Sequence, residues 1–168
     1  MTDPAPIQDS RRSDRFAYDP HTQPELFEGV LSKRIVAFLV DAVLIVALMI
    51  PAALVVFVLG VVTLGIGWLL FPILFIVVAL GYVGLTLGGP ASATPGMRMA
   101  GLEMRTWSGA PMFTLLAIIH ALLFWFSVSI LTPLILLVGL FNSRRQLLHD
   151  LLLGTVVVNY WPLHQMER

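Results

Sequence analysis

Two long apolar runs, almost free of charge, set the pattern of the chain. From Ile35 to Met97 the only Asp, Glu, Lys or Arg is Asp41, and from Thr106 to Ser143 there is none. A helix needs about 20 residues to cross the hydrocarbon of a bilayer. The first run is interrupted by the glycine-punctuated turn GVVTLGIG, Gly60 to Gly67, so it predicts two spans, about 34–59 and 68–87. Trp68 opens the second span, where an interfacial aromatic is favoured. Pro51 predicts a kink by freeing the carbonyl of Ala47, whereas Pro72 falls in an early turn and is nearly harmless. The third stretch, 113–141, is long for one span and short for two. A bent or re-entrant pair of short helices is the favoured reading, hinged within SVSILTP, Ser127 to Pro133. Pro133 cannot donate a backbone bond and disturbs the carbonyl of Ser129. The resulting fold class is all-α, a transmembrane helical protein of 3–4 membrane helices with short interfacial cytoplasmic segments.

The polar positions divide the rest. Residues 1–26 combine Pro, Asp, Ser and Arg without apolar periodicity and read as a mobile tail. The loop 88–112 carries TPG at Thr94 to Gly96, a hydroxyl N-cap followed by Pro at the first helical position, which predicts a short helix or turn. Met97, Met99, Leu102, Met104 and Trp107 are expected on the bilayer surface, with Arg98 and Arg105 facing headgroups. After Arg144 and Arg145, the apolar run Leu151 to Val158 is broken by Gly154 and too short to cross. Residues 146–158 are therefore an interfacial or buried cap, and 161–168 a C-terminal tail. The transmembrane domain covers 27–160.

Composition supports a membrane protein: of 168 residues 58% are hydrophobic and only 12% charged, against about a quarter charged in soluble domains. Ten basic and ten acidic residues cancel to a net charge of zero, but they are segregated into the N-terminal segment, the middle loop and the tail. No cysteine is present, which excludes disulfides and thiolate metal sites. The first apolar run is too long and begins too late for a cleavable signal peptide, and is expected to stay as an anchor. Arg11, Arg12, Arg15, Lys33, Arg34, Arg98 and Arg105 place the N-terminus and the middle loop in the cytoplasm, the 60–67 turn having no basic residue. A third stretch that returns would bring Arg144 and Arg145 to the same side.

Asp41 is the one charge that apolar packing does not explain. It lies seven residues beyond Arg34, about 10 Å along a helix and nearly on the same face, a spacing too long for a close intrahelical pair. A partner from elsewhere is expected, with Arg98, Arg105, Arg144 and Arg145 as the remaining cations. Three segments then carry a resemblance. RIVAFLVD, with Arg opening the span and Asp a third of the way in, resembles the first signature of the RDD family of small membrane proteins. TPGMRMAGLEM is similar to that family's cytoplasmic loop, and RRQLLHDLLLGTVVV to its closing segment. The family's name-giving arginine and two aspartates fall on Arg34, Asp41 and Asp150. Met97 stands where a basic residue is common in the family. The resemblance implies transport, with sodium–proton exchange suggested for some relatives.

Each residue also has a plainer role. Asp41 can be read as a packing carboxylate, Arg34 as a snorkelling, topology-setting residue, and Asp150 as the N-cap of a helix starting at Leu151. His120 is read as an interhelical hydrogen-bonding group ahead of a proton relay. His149 beside Asp150 cannot share its helix face, so the pair is not read as a metal site, and no cofactor is implied. GLTLG, Gly84 to Gly88, fits either a small-residue dimer face or a helix end. Intramembrane protease pairing, phosphate-cradling loops, metal-ligand spacing and a nucleic-acid patch are all missing, which argues against an enzyme and against nucleic acid as a partner. The expected partners are the lipid bilayer, a monovalent cation or proton, and a further copy of the chain. The expected function is transport of an ion or small solute, with Asp41 coupled to a cytoplasmic-side arginine cluster that includes Arg34, Arg98, Arg144 and Arg145. The alternative is a non-transporting scaffold or regulatory module acting through the loop and tail.

Overall fold

In a computed structural model the described residues are 17–131 and 144–166, with side chains before the gap described only as far as Ser129. Expectations for residues 1–16, for the hinge and return around Pro133, and for the last two residues lie outside them. Lipid offers the backbone no hydrogen bonds, so charge-free apolar runs close their own bonds as helices. Helix α1 occupies Val30–Val62 and runs through Pro51. At about 1.5 Å per residue it is close to 50 Å long, well beyond a hydrocarbon layer of about 30 Å. Its first two turns accordingly belong to the polar end of the molecule, where Val30 and Ala37 are buried. Farther along, Val43, Ile50, Leu54 and Val55 stand exposed, as a lipid-facing surface requires.

The turn after α1 is built on close contact. A Cβ on Gly60 would collide with the indole of Trp68, and one on Gly67 would fall 2.6 Å from the backbone of Gly60. Trp68 lies across Gly60, donates Nε1–H to the carbonyl of Phe57 at 3.3 Å, and stacks on the Phe57 ring. A 3-10 segment, Ile66–Leu70, leads into helix α2, Phe71–Thr86. Among the described residues two helical stretches, Pro24–Val62 and Ile66–Thr86, are long and apolar enough to cross a membrane, and Thr114–Ser129 is a shorter apolar helix.

Thr94 caps helix α3, Pro95–Met99, by accepting from the N–H of Met97, as TPG predicts. The next element departs from the expected pattern: strand β1, Leu102–Thr106, pairs antiparallel with strand β2, Thr155–Asn159. The fold is mostly helical, but not all-α. Helix α4, Thr114–Leu131, packs against α2, with Ile118 and Thr114 seated on Gly84 and Thr114 against Gly88. The small residues of GLTLG therefore admit a neighbour within the same chain. Helix α4 is helical through Ser127 and Ser129, both of which bond back to carbonyls in the preceding turn. The chain re-enters the described structure at Arg144, passes Arg34 at the carbonyl of Arg145, and continues through helix α5, Leu148–Leu153, to Gly154, whose φ of 64° suits the left-handed end of a helix. Strand β2 and helix α6, Tyr160–Met166, complete the described chain.

The sheet is buried on both faces, which is why TVVVN reads as a continuous apolar run rather than an alternating one. Val157 points into a core with Val30, Ala37, Leu102, Met104 and Ala117. Val156 and Val158 point the other way, onto Tyr18, Leu26, Phe27 and Leu163. Two expectations change as a result. Leu26 and Leu163 pack onto the sheet, so residues 17–26 and 161–166 are not free tails, and Asn159 holds the chain before α1 by donating to the carbonyls of Glu25 and Glu28. Met97, Leu102 and Met104 are buried protein core, while Met99 and Trp107 remain exposed.

Candidate functional site

Two polar clusters sit where α1 meets the sheet-bearing end. The first surrounds Asp41. Its Oδ1 accepts from the hydroxyl of Tyr82 on α2 at 2.6 Å and from the N–H of Gly96 on α3 at 2.8 Å. Its Oδ2 accepts from the hydroxyl of Thr94 at 2.5 Å. The approach of α3 depends on a missing side chain: a Cβ on Gly96 would collide with the carbonyl oxygen of Ala37 and lie 2.7 Å from the Asp41 carboxyl. The arginine partner expected for Asp41 is not there. Among the described residues Asp41 forms no ion pair, and its charge is met by two hydroxyls and a backbone N–H. Arg98 is exposed, and Arg105 pairs with Glu103 at 2.7 Å.

Arg34 is committed to the second cluster. Its Nη1 lies 2.6 Å from Oδ2 of Asp150, which is fully buried, and also reaches the carbonyl of Arg145 at 3.3 Å. The helix begins at Leu148, not Leu151, so Asp150 stands inside its first turn and accepts from the N–H of Leu147 at 3.0 Å. The other oxygen, Oδ1, takes His120 Nε2 of α4 at 2.8 Å. Burial alone would raise the Asp150 pKa, but the Arg34 charge and the His120 hydrogen bond outweigh it and hold the carboxyl well below the usual range. His149 goes to about 4, chiefly because burial disfavours its charged form, with Asp150 opposing the shift and His120 and Arg34 adding to it. Its Nε2 lies 3.6 Å from Asp150 Oδ1 and its Nδ1 3.5 Å from Ser127 Oγ. Adjacent positions on one helix do diverge, but His120 arrives from a different helix and the three groups converge. Arg144 and Arg145 stand at the same end, in the turn before α5.

The name-giving trio therefore splits, Arg34 with Asp150 and Asp41 with neutral donors. Thr94 was legible only as a helix cap. Tyr82 is the one phenol in the second span, which was a signal for a buried partner. Glu103, held by Arg105 and by His164 at 2.9 Å, had no signal until β1 and α6 came together.

The family model described as the RDD family matches residues 29–154. No curated protein and no solved structure matches the chain.

Proposed function

The chain belongs to the RDD family, and on that premise we propose that it is a multi-pass inner-membrane protein, N-terminus cytoplasmic, that takes part in moving a proton, a monovalent cation or a small solute. The reading assigns it no enzymatic step. The observation that carries it is the environment of Asp41. A carboxylate locked to arginine, as Asp150 is, has its charge permanently answered. Asp41 is oriented by two hydroxyls and an N–H and, among the described residues, has no cationic side chain against it, which is the arrangement expected of an intramembrane carboxylate that handles a proton or small cation. The orientation is supported by Lys33, Arg34, Arg105, Arg144 and Arg145 gathering near the β1–β2 end, while Gly60 to Gly67 carries no charge. Arg34, paired elsewhere, is a positioning residue for α5 rather than the group that sets the charge of Asp41.

The same three bonds also join α1, α2 and α3, which favours a second reading: a scaffold or regulatory module in which Asp41 is a packing residue. Proton movement in everted vesicles separates the two. Na⁺, K⁺ or Li⁺ is added to vesicles holding wild type or Asp41→Asn at matched expression, and a pH-sensitive dye is followed. Cation-dependent proton movement is expected for wild type and abolished in the variant. A silent, well-inserted wild type sinks the exchange reading and leaves the scaffold.

A further inference from the structure

One polar atom of the Arg34–Asp150 cluster has no hydrogen bond. His149 is 1% exposed, and its Nε2 faces Asp150 Oδ1 across 3.6 Å, too far to donate to it. His120 Nε2 stands 2.8 Å from that same oxygen, and the ligand atoms of His120, His149 and Asp150 all lie within 4.8 Å of one another. Ser127 Oγ gives its own hydrogen to the Leu123 carbonyl. Toward His149 Nδ1, 3.5 Å away, it is then an acceptor, and in the tautomer that uses this contact the imidazole proton sits on Nδ1 and the lone pair on Nε2. That lone pair points at a carboxylate oxygen, two acceptors face to face in a dry site. A cation between them would resolve the conflict.

We propose that His120, His149 and Asp150 form a binding site for one divalent transition-metal cation of the zinc type, clamping α4 to α5. Two imidazoles and a carboxylate are the donor set of three-ligand zinc sites, which keep a fourth position open. Alkali, magnesium and calcium ions prefer all-oxygen shells and are poorly served here. Arg34 sharpens the choice. It occupies Oδ2 and leaves Oδ1 to the imidazoles, and its charge repels a weakly held cation while tolerating one bound by nitrogen. Ser127 and Arg34 supply the outer bonds that orient ligating groups in such sites. The site is separate from Asp41, whose donors are all oxygen-bound hydrogens or a backbone N–H.

The test is equilibrium binding by the full chain in detergent, stripped with chelator and titrated with Zn²⁺, and in parallel with Co²⁺ to read the ligand field from its visible absorption. One Zn²⁺ per chain is expected, with a rise in the unfolding temperature. His149→Phe keeps a flat ring against Phe124 and removes the nitrogens; it should weaken binding on the order of 100-fold, and His120→Gln should do likewise from the other helix. His164→Gln and His21→Gln should bind as wild type. Folded wild type without saturable binding overturns the proposal. So does wild-type affinity in either folded cluster variant. Because the readout is binding, a negative flux assay leaves this result standing, and a negative binding result leaves Asp41 untouched.

Discussion

Asp41 lies on α1 and Asp150 packs against it, and the two carboxylates are held by different kinds of partner. Asp150 is fully buried against Arg34, so Asp150→Asn strands a guanidinium in a nearly dry site. Breaking such a pair costs about 3–5 kcal/mol, whereas replacing both partners by apolar residues of similar size is often close to neutral. Thermal unfolding in detergent should therefore show Asp150→Asn well below wild type and the Arg34→Met, Asp150→Leu double variant recovering part of the loss, the rest staying with the Leu147 N–H and His120, which lose their acceptor. Gly96→Ala tests the other cluster. Its added methyl meets the Ala37 carbonyl and the Asp41 carboxyl, so α3 must back away, and a loss of about 1–3 kcal/mol is expected from the same measurement. At this scale the sequence showed which residues matter more readily than whom they touch. The i,i+7 stripe of Arg34 and Asp41 is visible in the letters, but the switch of Arg34 to a partner more than a hundred residues away is a product of tertiary closure.

The helices were legible because a charge-free run long enough to cross lipid has few alternatives; α2 and α4 lie wholly within such runs, and α1 does so beyond Asp41. The strands were not. LEMRT comes after a capped turn and carries apolar residues at alternating positions, which suited a surface segment as well as a strand. TVVVN lacks alternation because both its faces are covered, and a short apolar run of that kind does not reveal its period. Only the pairing itself, across about fifty residues, decides the matter. Since the chain has no cysteine, the pairing can be tested cleanly. Met104 and Val157 are directly opposite, so Met104→Cys with Val157→Cys should form an oxidative cross-link, while Met104→Cys with Val156→Cys, whose side chains point to opposite faces, should not. Equal cross-linking in both pairs would overturn the register.

On the scale of the whole molecule, charge and secondary structure are sorted by end. The α1–α2 turn is uncharged and close-packed; the opposite end holds the sheet, both polar clusters and the segments 17–26 and 161–166. Leu64 at one end is 96% exposed and Met99 at the other 75% exposed. With an impermeant thiol reagent, Leu64→Cys should label in intact cells and Met99→Cys only in everted vesicles. Labelling of both from one side would overturn the proposed orientation. The sorting also bears on the order in which the protein is made. Strand β2 leaves the ribosome well over a hundred residues after the start of α1, yet Asn159 receives Lys33 at 2.6 Å and Asp150 receives Arg34. Until those late residues emerge, the basic start of α1 faces the membrane surface without its protein partners. That is also the interval in which an unanswered Lys33 and Arg34 can hold the first helix by the anionic headgroups and fix its direction of insertion. On the proposed orientation, the later strand then takes over charges that first served at the lipid surface.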